Sequence, residues 1–306
     1  MKSDFKKYKK SGSILADALK YAKEITKPGI KLIDIAEKME NFIRNQSAQP
    51  AFPVNISINE IAAHYSPVVN DDSTIPEGSI VKIDAGVSVD GFLTDAARTF
   101  IFDEKWTKMK LLAENALENA LKEIRPNGSV FKVGEIIEKT IKKEGYKPIV
   151  NLSGHLMTQY SLHGGVSIPN YKISREARDD SHRFIPGNAY AIEPFVTTGS
   201  GKVFDDKNTT IYRHYRDFKK NEIPEDIEEI YLYIKQNFFN LPFSWRWLFN
   251  SGFSVKQIDK AKEILLSKHI VHGYPVLIES KFAPVTQAEE TIYVNKDEII
   301  ILTNTK

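Results

Sequence analysis

The sequence contains no cysteine among its 306 residues. A disulfide framework, a thiolate metal site and a cysteine nucleophile are therefore excluded. Any metal would have to be held by carboxylates and imidazoles, the ligand types that suit Mn, Fe, Co or Zn. No apolar stretch of about 18 residues occurs, so we expect no transmembrane span. Early Lys and Ser residues interrupt every apolar run after Met1, so we expect no signal peptide and a cytoplasmic protein.

The sequence also lacks a large excess of charge of either sign. The formal net charge is +2, and no dense Lys/Arg tract dominates. We therefore expect no specific nucleic-acid partner. The apolar fraction of 42% and the charged fraction of 27% are ordinary for a soluble globular protein. The length allows one large domain or two smaller ones.

Apolar positions near the start of the chain recur at an offset of 98 residues. The matched pairs include Ile14 with Leu112, Ala18 with Ala116, Pro28 with Pro126 and Ile43 with Ile141. Each copy has helix-period apolar spacing on both sides of a proline-containing break, which predicts two successive amphipathic helices. Later, 78–84 resembles 187–193, and each segment is a short apolar run that ends in a carboxylate.

This pattern predicts a duplicated helix-helix-strand unit and hence an α+β fold with two half-domains related by a pseudo-twofold axis. Asp84 and Glu193 would meet at the seam between the halves. The alternative is that such patterns resemble one another by composition alone.

Asp90-Gly91 is a strong two-residue hairpin pattern between two apolar stretches. Such a turn pairs Asp84 with Ala97 and Asp95 with Gly86. The two carboxylates then lie on one face of the sheet as diagonal neighbours, about 7–8 Å apart at the backbone. Two like charges this close need a cation between them. The alternative is a pair of surface aspartates near a turn.

Further candidate ligands follow in the second half of the chain. His155 and His163 lie in a glycine-rich context, where the backbone can approach a ligand closely. Glu193 follows an apolar run and would be costly to bury without a partner or a metal. Glu289 begins the last strand pair and, taken alone, would be an exposed edge residue.

Together these residues give four carboxylates and one imidazole, namely Asp84, Asp95, His155, Glu193 and Glu289. Two divalent cations would balance the four negative charges. An oxygen-rich set with a single histidine fits a hydrolytic two-metal site better than a structural zinc site.

The segment 210–272 has no partner in the first half and is predicted to be a helical insertion. We expect a helix from about 222 to 237 and another from about 255 to 268. The aromatic residues between the helices are expected to form the core that attaches the insertion to the main domain, which would comprise 1–209 and 273–306.

In their order along nearly the whole chain, these motifs resemble those of type 2 methionine aminopeptidases. The matching segments are 51–65 with His64, 82–86, 90–95, 151–155, 162–170, 191–195 and 241–248. The resemblance implies the pita-bread fold, with a central antiparallel sheet and a winged-helix-like insertion. The chain lacks the long charged N-terminal extension of eukaryotic members, so it resembles archaeal ones.

The resemblance also implies roles for single residues. Asp84 would bind one metal, His155 and Glu193 the other, and Asp95 and Glu289 would bridge the two. His163 and His64 would contact the scissile amide, and Glu193 would move a proton to the leaving amine. Phe52, Leu162 and Phe195 would form the methionine pocket. The implied reaction is two-metal hydrolysis of the first peptide bond when the second residue is small, with Co, Mn, Fe or Zn as the metal. The implied partners are the N-terminal methionine of nascent chains and, transiently, the ribosome, and the implied state is a monomer.

The last motif departs from the family pattern Gln-Phe-Glu-His-Thr, because this chain has Gln287-Ala288-Glu289-Glu290-Thr291. We expect Glu289 to remain the bridging ligand. Ala288 is expected to widen the space beside the site, and Glu290 to add a negative charge near the metals. Two alternatives remain: an X-Pro aminopeptidase or prolidase of the same fold, and a non-catalytic pita-bread factor that binds ribosomes or RNA.

Overall fold

The first third of the chain folds as two helices followed by a set of antiparallel strands. The computed structural model describes residues 2–179 and 181–304. The elements in chain order are α1 (Lys2–Ile25), α2 (Leu32–Asn45), β1 (Gln49–Pro50), β2 (Asn55–Ile58), β3 (Ile61–Ala63), β4 (Ile80–Val89) and β5 (Phe92–Ile101). β4 pairs with β1, β2 and β5. The apolar faces of α1 and α2 pack on this sheet in one buried cluster.

The second third repeats the same order of elements. These are α3 (Thr107–Glu123), α4 (Phe131–Lys143), β6 (Lys147–Pro148), β7 (Ser153–Met157), β8 (Ser167–Pro169), β9 (Ala189–Ile192) and β10 (Phe195–Thr197), with short 3-10 turns at Glu104–Trp106 and Arg175–Ala177. The helices α3 and α4 pack over a second core that includes Tyr190 and Ile192 of β9. The order of elements therefore agrees with the predicted duplication.

The last third adds a long strand pair interrupted by helices, and then the final strands. Its elements are β11 (Val203–His214), α5 (Glu225–Phe238), α6 (Trp245–Asn250), α7 (Val255–Ser267), β12 (Val271–Glu279), β13 (Val285–Gln287), β14 (Glu290–Val294) and β15 (Ile299–Ile301). β12 pairs with both β11 and β3, and β14 pairs with β9 and β15. None of the described helices has the length and apolar character that a membrane crossing requires.

The helices α5 to α7 form a core of their own beside β11 and β12. Phe243, Trp245 and Trp247 are buried in it, as expected, whereas Phe239 and Phe249 are exposed. The two predicted helices are found close to their expected limits, and α6 lies between them. The domain limits 1–209, 210–272 and 273–306 remain predictions.

A buried ion pair fastens this helical segment to the first half of the chain. Arg246 donates two hydrogen bonds to Glu40, of 3.0 and 2.8 Å. The Trp247 indole and the Val54 main chain donate to the same carboxylate, at 2.6 and 3.2 Å. A buried carboxylate needs such partners, because an unpaired one would cost several kcal/mol. The ion pair between Arg246 and Glu40 therefore holds the helical segment α5 to α7 beside β2, which begins at Asn55.

Candidate metal centre and substrate cavity

The hairpin of β4 and β5 places two aspartates on one face of the sheet. Asp90 and Gly91 both have positive φ, 51° and 82°, as the favoured hairpin turn requires. Asp84 pairs with Ala97 and Gly86 pairs with Asp95. The predicted register is therefore confirmed, and the two carboxyl groups lie so close that Asp95 adds to the burial that raises the pKa of Asp84.

Three further candidate ligands converge on these aspartates from the rest of the chain. His155 of β7 has its Nε2 3.4 Å from Asp95 Oδ2 and 4.0 Å from Glu193 Oε1. Glu193 directly follows β9, and Glu289 precedes β14. The ligand atoms of Asp95, His155 and Glu289 lie within 4.8 Å of one another. Both halves of the fold thus contribute acidic residues to one centre.

Burial controls the protonation of these groups. It is the main cause that raises the pKa of Asp84, Glu193 and Glu289 well above their ordinary values, and the neighbouring carboxylates add to the effect. Burial also raises the pKa of Asp95 to about 7. The pKa of His155 falls to about 4 because a buried imidazole resists protonation. At neutral pH the carboxyl groups therefore need either protons or cations.

The donor set fits divalent cations. Asp84 Oδ1 and Asp95 Oδ1 are buried and have no hydrogen-bond partner among the described residues. A buried carboxylate oxygen without a partner is costly, and a cation would satisfy it. The His155 imidazole is neutral, which leaves a nitrogen lone pair available for a metal. These carboxylates and this imidazole are hard and borderline ligands, as Mn, Fe, Co and Zn require.

A cavity of about 500 Å³ opens over the five candidate ligands. Phe52, Leu162 and Phe195 lie in its wall, and each is almost fully buried. Gly86 allows this arrangement, because a Cβ there would lie 2.4 Å from the Phe52 ring. The cavity thus combines an acidic centre with an apolar wall.

Two histidines and a tyrosine stand on another side of the cavity. The ring centroid of Tyr274 is 5.6 Å from that of His64 and 6.2 Å from that of His163. His64 has a left-handed φ of 66°, and its Nδ1 lies 3.2 Å from the Pro275 carbonyl oxygen. The centroid of the His163 ring is 4.6 Å from that of His155, and His163 lines the cavity. The structure therefore brings both predicted histidines to the space above the acidic centre.

Burial also sets the protonation of these two histidines. It lowers the pKa of His64. It is likewise the main cause that lowers the pKa of His163 to about 3, an effect to which the nearby His155, His64 and Arg213 side chains add, because a second positive charge beside them would be repelled. Both imidazoles are therefore neutral at neutral pH, and each can donate one N–H and accept one hydrogen bond.

Comparison with known proteins identifies the family. The sequence pattern of metallopeptidase family M24 matches residues 6–220. This chain belongs to metallopeptidase family M24. A methionine aminopeptidase from Pyrococcus abyssi is 40% identical over 300 residues, which cover 98% of this chain and 99% of the relative.

Two solved structures extend the comparison to the fold of this M24 protein. A thermophilic Arx1 has a TM-score of 0.84 at 19% identity, covering 97% of this chain and 90% of the other. A methionine aminopeptidase from Thermotoga maritima has a TM-score of 0.70 at 21% identity, covering 99% and 98%. At such low identity these likenesses bear on the fold alone, which is the predicted pita-bread fold. The family and the buried acidic cluster together indicate that the protein uses divalent metal.

The altered last motif of this M24 protein places Glu289 in the acidic centre. The Gln287 side chain donates to Glu289 Oε2 at 3.1 Å, and the Glu289 main chain donates to Ala97 at 3.2 Å. Two expectations about the residues on either side of Glu289 are wrong. Ala288 is buried in the core beneath α3 and does not line the cavity, so it widens nothing beside the site. Glu290 adds no uncompensated charge, because Arg98 pairs with it at 2.5 Å.

Sequence reasoning missed several residues of the cavity. Asn55, Asp205, Ile211, Pro242 and Tyr274 all line it. Asp205 and Ile211 come from β11, Pro242 from the loop before α6, and Tyr274 from β12. The β11 and β12 residues are far apart in sequence and no local pattern points to them, whereas Pro242 lies in the matched segment 241–248. Asn55 lies inside the matched segment 51–65, which also carries Phe52, and could have been found from it.

Proposed function

We propose that this protein removes the initiator methionine from newly made polypeptides whose second residue is small, by hydrolysis of the first peptide bond with two divalent cations. The observation that carries the proposal is the convergence of five candidate ligands beside an apolar cavity wall. The full-length similarity to methionine aminopeptidases supports the same substrate class.

The apolar wall suits an unbranched thioether. Phe52, Leu162 and Phe195 would bury the methionine side chain, and each buried CH₂ group contributes about 0.8 kcal/mol. Such a wall discriminates by only about 1–3 kcal/mol per methylene. The rings of His64, His163 and Tyr274 crowd the adjoining space, which favours a small second residue.

The protein's own residues would handle the charge and the protons of the reaction. A neutral His163, with His64 beside it, would donate an N–H to the scissile carbonyl oxygen as that oxygen gains negative charge. The water oxygen bonds to the carbonyl carbon, and the bond from that carbon to the amide nitrogen breaks. Glu193 would take a proton from the attacking water and pass it to the departing amine, which must be protonated to leave.

The cations would be held by the five candidate ligands Asp84, Asp95, His155, Glu193 and Glu289. When bound, divalent metal supplies Lewis acidity and lowers the pKa of water. Asp95 and Glu289 lie in one close cluster with His155, and Asp84 and Glu193 beside them would complete the set that holds the cations. Co, Mn, Fe and Zn all suit this set.

The test is metal content measured together with release of methionine from Met-Ala-Ser. We expect about two ions per chain in the wild type, and we expect Asp95→Ala and Glu193→Ala to lose metal and at least about 10³-fold of the activity. Asp90→Asn is the matched control, because Asp90 lies in the turn of the same hairpin with an exposed carboxylate, and asparagine suits the same positive φ. Full activity of either ligand variant would refute the assigned site.

The same assay separates the alternatives. Cleavage of Ala-Pro but not of Met-Ala-Ser would favour an X-Pro aminopeptidase or prolidase. A wild type that binds metal but releases no methionine would favour a non-catalytic factor. A cytoplasmic location, a monomeric state and transient ribosome association are further proposals, which cell fractionation, sedimentation and ribosome pelleting would test.

A further inference from the structure

A basic residue lies just outside the cavity on the strand that forms part of its wall. Ile211 of β11 pairs with Tyr274 of β12, and both line the cavity. Arg213 pairs with His272 two positions further along the same strands. Because directly paired residues share a face and side chains alternate with a period of two, Arg213 and His272 continue this wall.

This face of the strand pair leads from the buried cavity wall toward the protein surface. Ile211 is 3% exposed and Arg213 is half-buried on one face of β11, and Tyr215, directly after the end of the strand, is 60% exposed. The Arg213 guanidinium lies 5.5 Å from the Tyr215 ring centroid. The His272 ring lies 6.4 Å from Tyr274 and 6.1 Å from Tyr215. Arg213, Tyr215 and His272 therefore form one cluster at the mouth of the cavity.

Arg213 has no acidic partner in the part of the chain that the structure describes, and its Nε is buried without a hydrogen bond. The positive charge of Arg213 affects two groups in the cavity. The pKa of His163 is lowered mainly by burial, then by His155 and His64, and Arg213 adds to this effect. The pKa of Tyr274 is raised by burial, and Arg213 opposes that increase. Asp205, an acidic residue in the cavity wall, places its negative charge near His64. A half-buried guanidinium without a partner is a ready site for an anion.

We propose that Arg213 is a specificity-determining residue that binds a carboxylate on the third or fourth residue of the peptide, an inference that rests on the proposed function. One step of two residues along a strand covers about 6.6–6.8 Å, and an extended peptide advances about 3.3 Å per residue. A chain whose first peptide bond lies beside His163 therefore passes Arg213 about two residues later. Its acidic side chain there would meet Arg213, and the His272 imidazole could donate a second hydrogen bond.

The test compares three peptides with a free N-terminus and an amidated C-terminus: Met-Ala-Asp-Asp-Leu, Met-Ala-Asn-Asn-Leu and Met-Ala-Lys-Lys-Leu. For the metal-loaded wild type we expect a KM for the acidic peptide about 3- to 10-fold below that of the neutral one, with similar kcat. About 0.5 M NaCl should remove most of the preference, since salt screens a partly exposed pair.

Variants at the mouth separate charge recognition from a structural role. Arg213→Met should erase the preference, Arg213→Lys should keep part of it, and Arg213→Glu should reverse it in favour of the lysine peptide. Lys262→Met is the matched control, because Lys262 lies 5.4 Å from the ring of Tyr212, which faces the other side of β11. It should behave as the wild type.

The outcomes distinguish the two proposals. A wild type that cleaves all three peptides with equal KM would overturn the role of Arg213 and leave the proposed function standing. Cleavage of none of them would overturn both. A preference that survives in Arg213→Met or fails to reverse in Arg213→Glu would also overturn the role. If Arg213→Met does not fold, the salt series on the wild type and the Arg213→Lys variant decide the matter.

Discussion

Arg98 and Glu290 form a largely buried ion pair, with 2.5 Å between Nη2 and Oε1, directly beside Glu289. Arg98 Nη1 also donates to the main-chain oxygens of Ala97 and Glu289, at 2.9 and 2.7 Å. Thr303 donates its hydroxyl to the other oxygen of Glu290. The unusual Glu290 therefore belongs to a network that holds the backbone of a candidate metal ligand.

Arg98→Met should destabilise the protein by about 3 kcal/mol, because Glu290 would remain buried without its cation. It should also weaken metal binding, since two bonds to the backbone around Glu289 are lost. Urea unfolding and metal titration measure the two effects. The double variant with Glu290→Met should recover stability but not metal affinity. Lys31→Met, which removes an exposed pair with Asp72, is the control and should leave the free energy of unfolding close to that of the wild type. Unchanged stability and metal affinity in Arg98→Met would show that the network contributes nothing.

His163→Ala should lower kcat about 10²- to 10³-fold, as removal of a donor to a developing oxyanion does. Metal content should stay at the wild-type level, because His163 is proposed to contact the substrate. Elemental analysis and Met-Ala-Ser turnover measure these quantities. His182→Ala is the control, since that histidine stacks on Phe131, away from the cavity. Loss of metal in His163→Ala would instead make His163 a ligand.

The positions of Asp84 and Asp95 could be predicted from the sequence because they depend on a local turn. The Asp90-Gly91 turn sets the register of β4 against β5, and alternation then puts Asp84 and Asp95 on one face. The environments of Ala288 and Glu290 were predicted wrongly, because they depend on the distant partners that pack against them, α3 for one and Arg98 for the other.

The side of the cavity formed by β11 and β12 could not be predicted, again because it depends on residues that are distant in sequence. Ile211 and Tyr274 become neighbours only when β11 pairs with β12 across the helices α5 to α7. The register of this pair also shifts between Asp205 and Thr209 and again before Ile211. A bulge changes which face a side chain occupies, so simple alternation fails there. The sequence therefore points to the acidic centre and the apolar wall, but not to the side of the cavity that β11 and β12 form.

Metal should stabilise the protein more at about pH 8 than at about pH 5. The pKa of Asp95 is raised by burial from 3.8 to about 7, so between about pH 4 and 7 the folded metal-free protein holds a proton that the unfolded chain has released. Since the folded state binds more protons in this window, its stability falls as the pH rises through it. The raised pKa values of Asp84, Glu193 and Glu289 act in the same direction.

Bound cations replace these protons and remove the penalty, which for Asp95 is fully present above about pH 7. We expect the increase in Tm caused by Mn²⁺ to be at least about 3 °C larger at the higher pH, which corresponds to about 2 kcal/mol for a chain of this size. Calorimetric titration in two buffers should also detect release of protons on metal binding. Asp72→Asn, which changes an exposed carboxylate, should leave the pH dependence as in the wild type. An equal increase in Tm at both pH values would contradict protonated carboxyl groups in the metal-free centre.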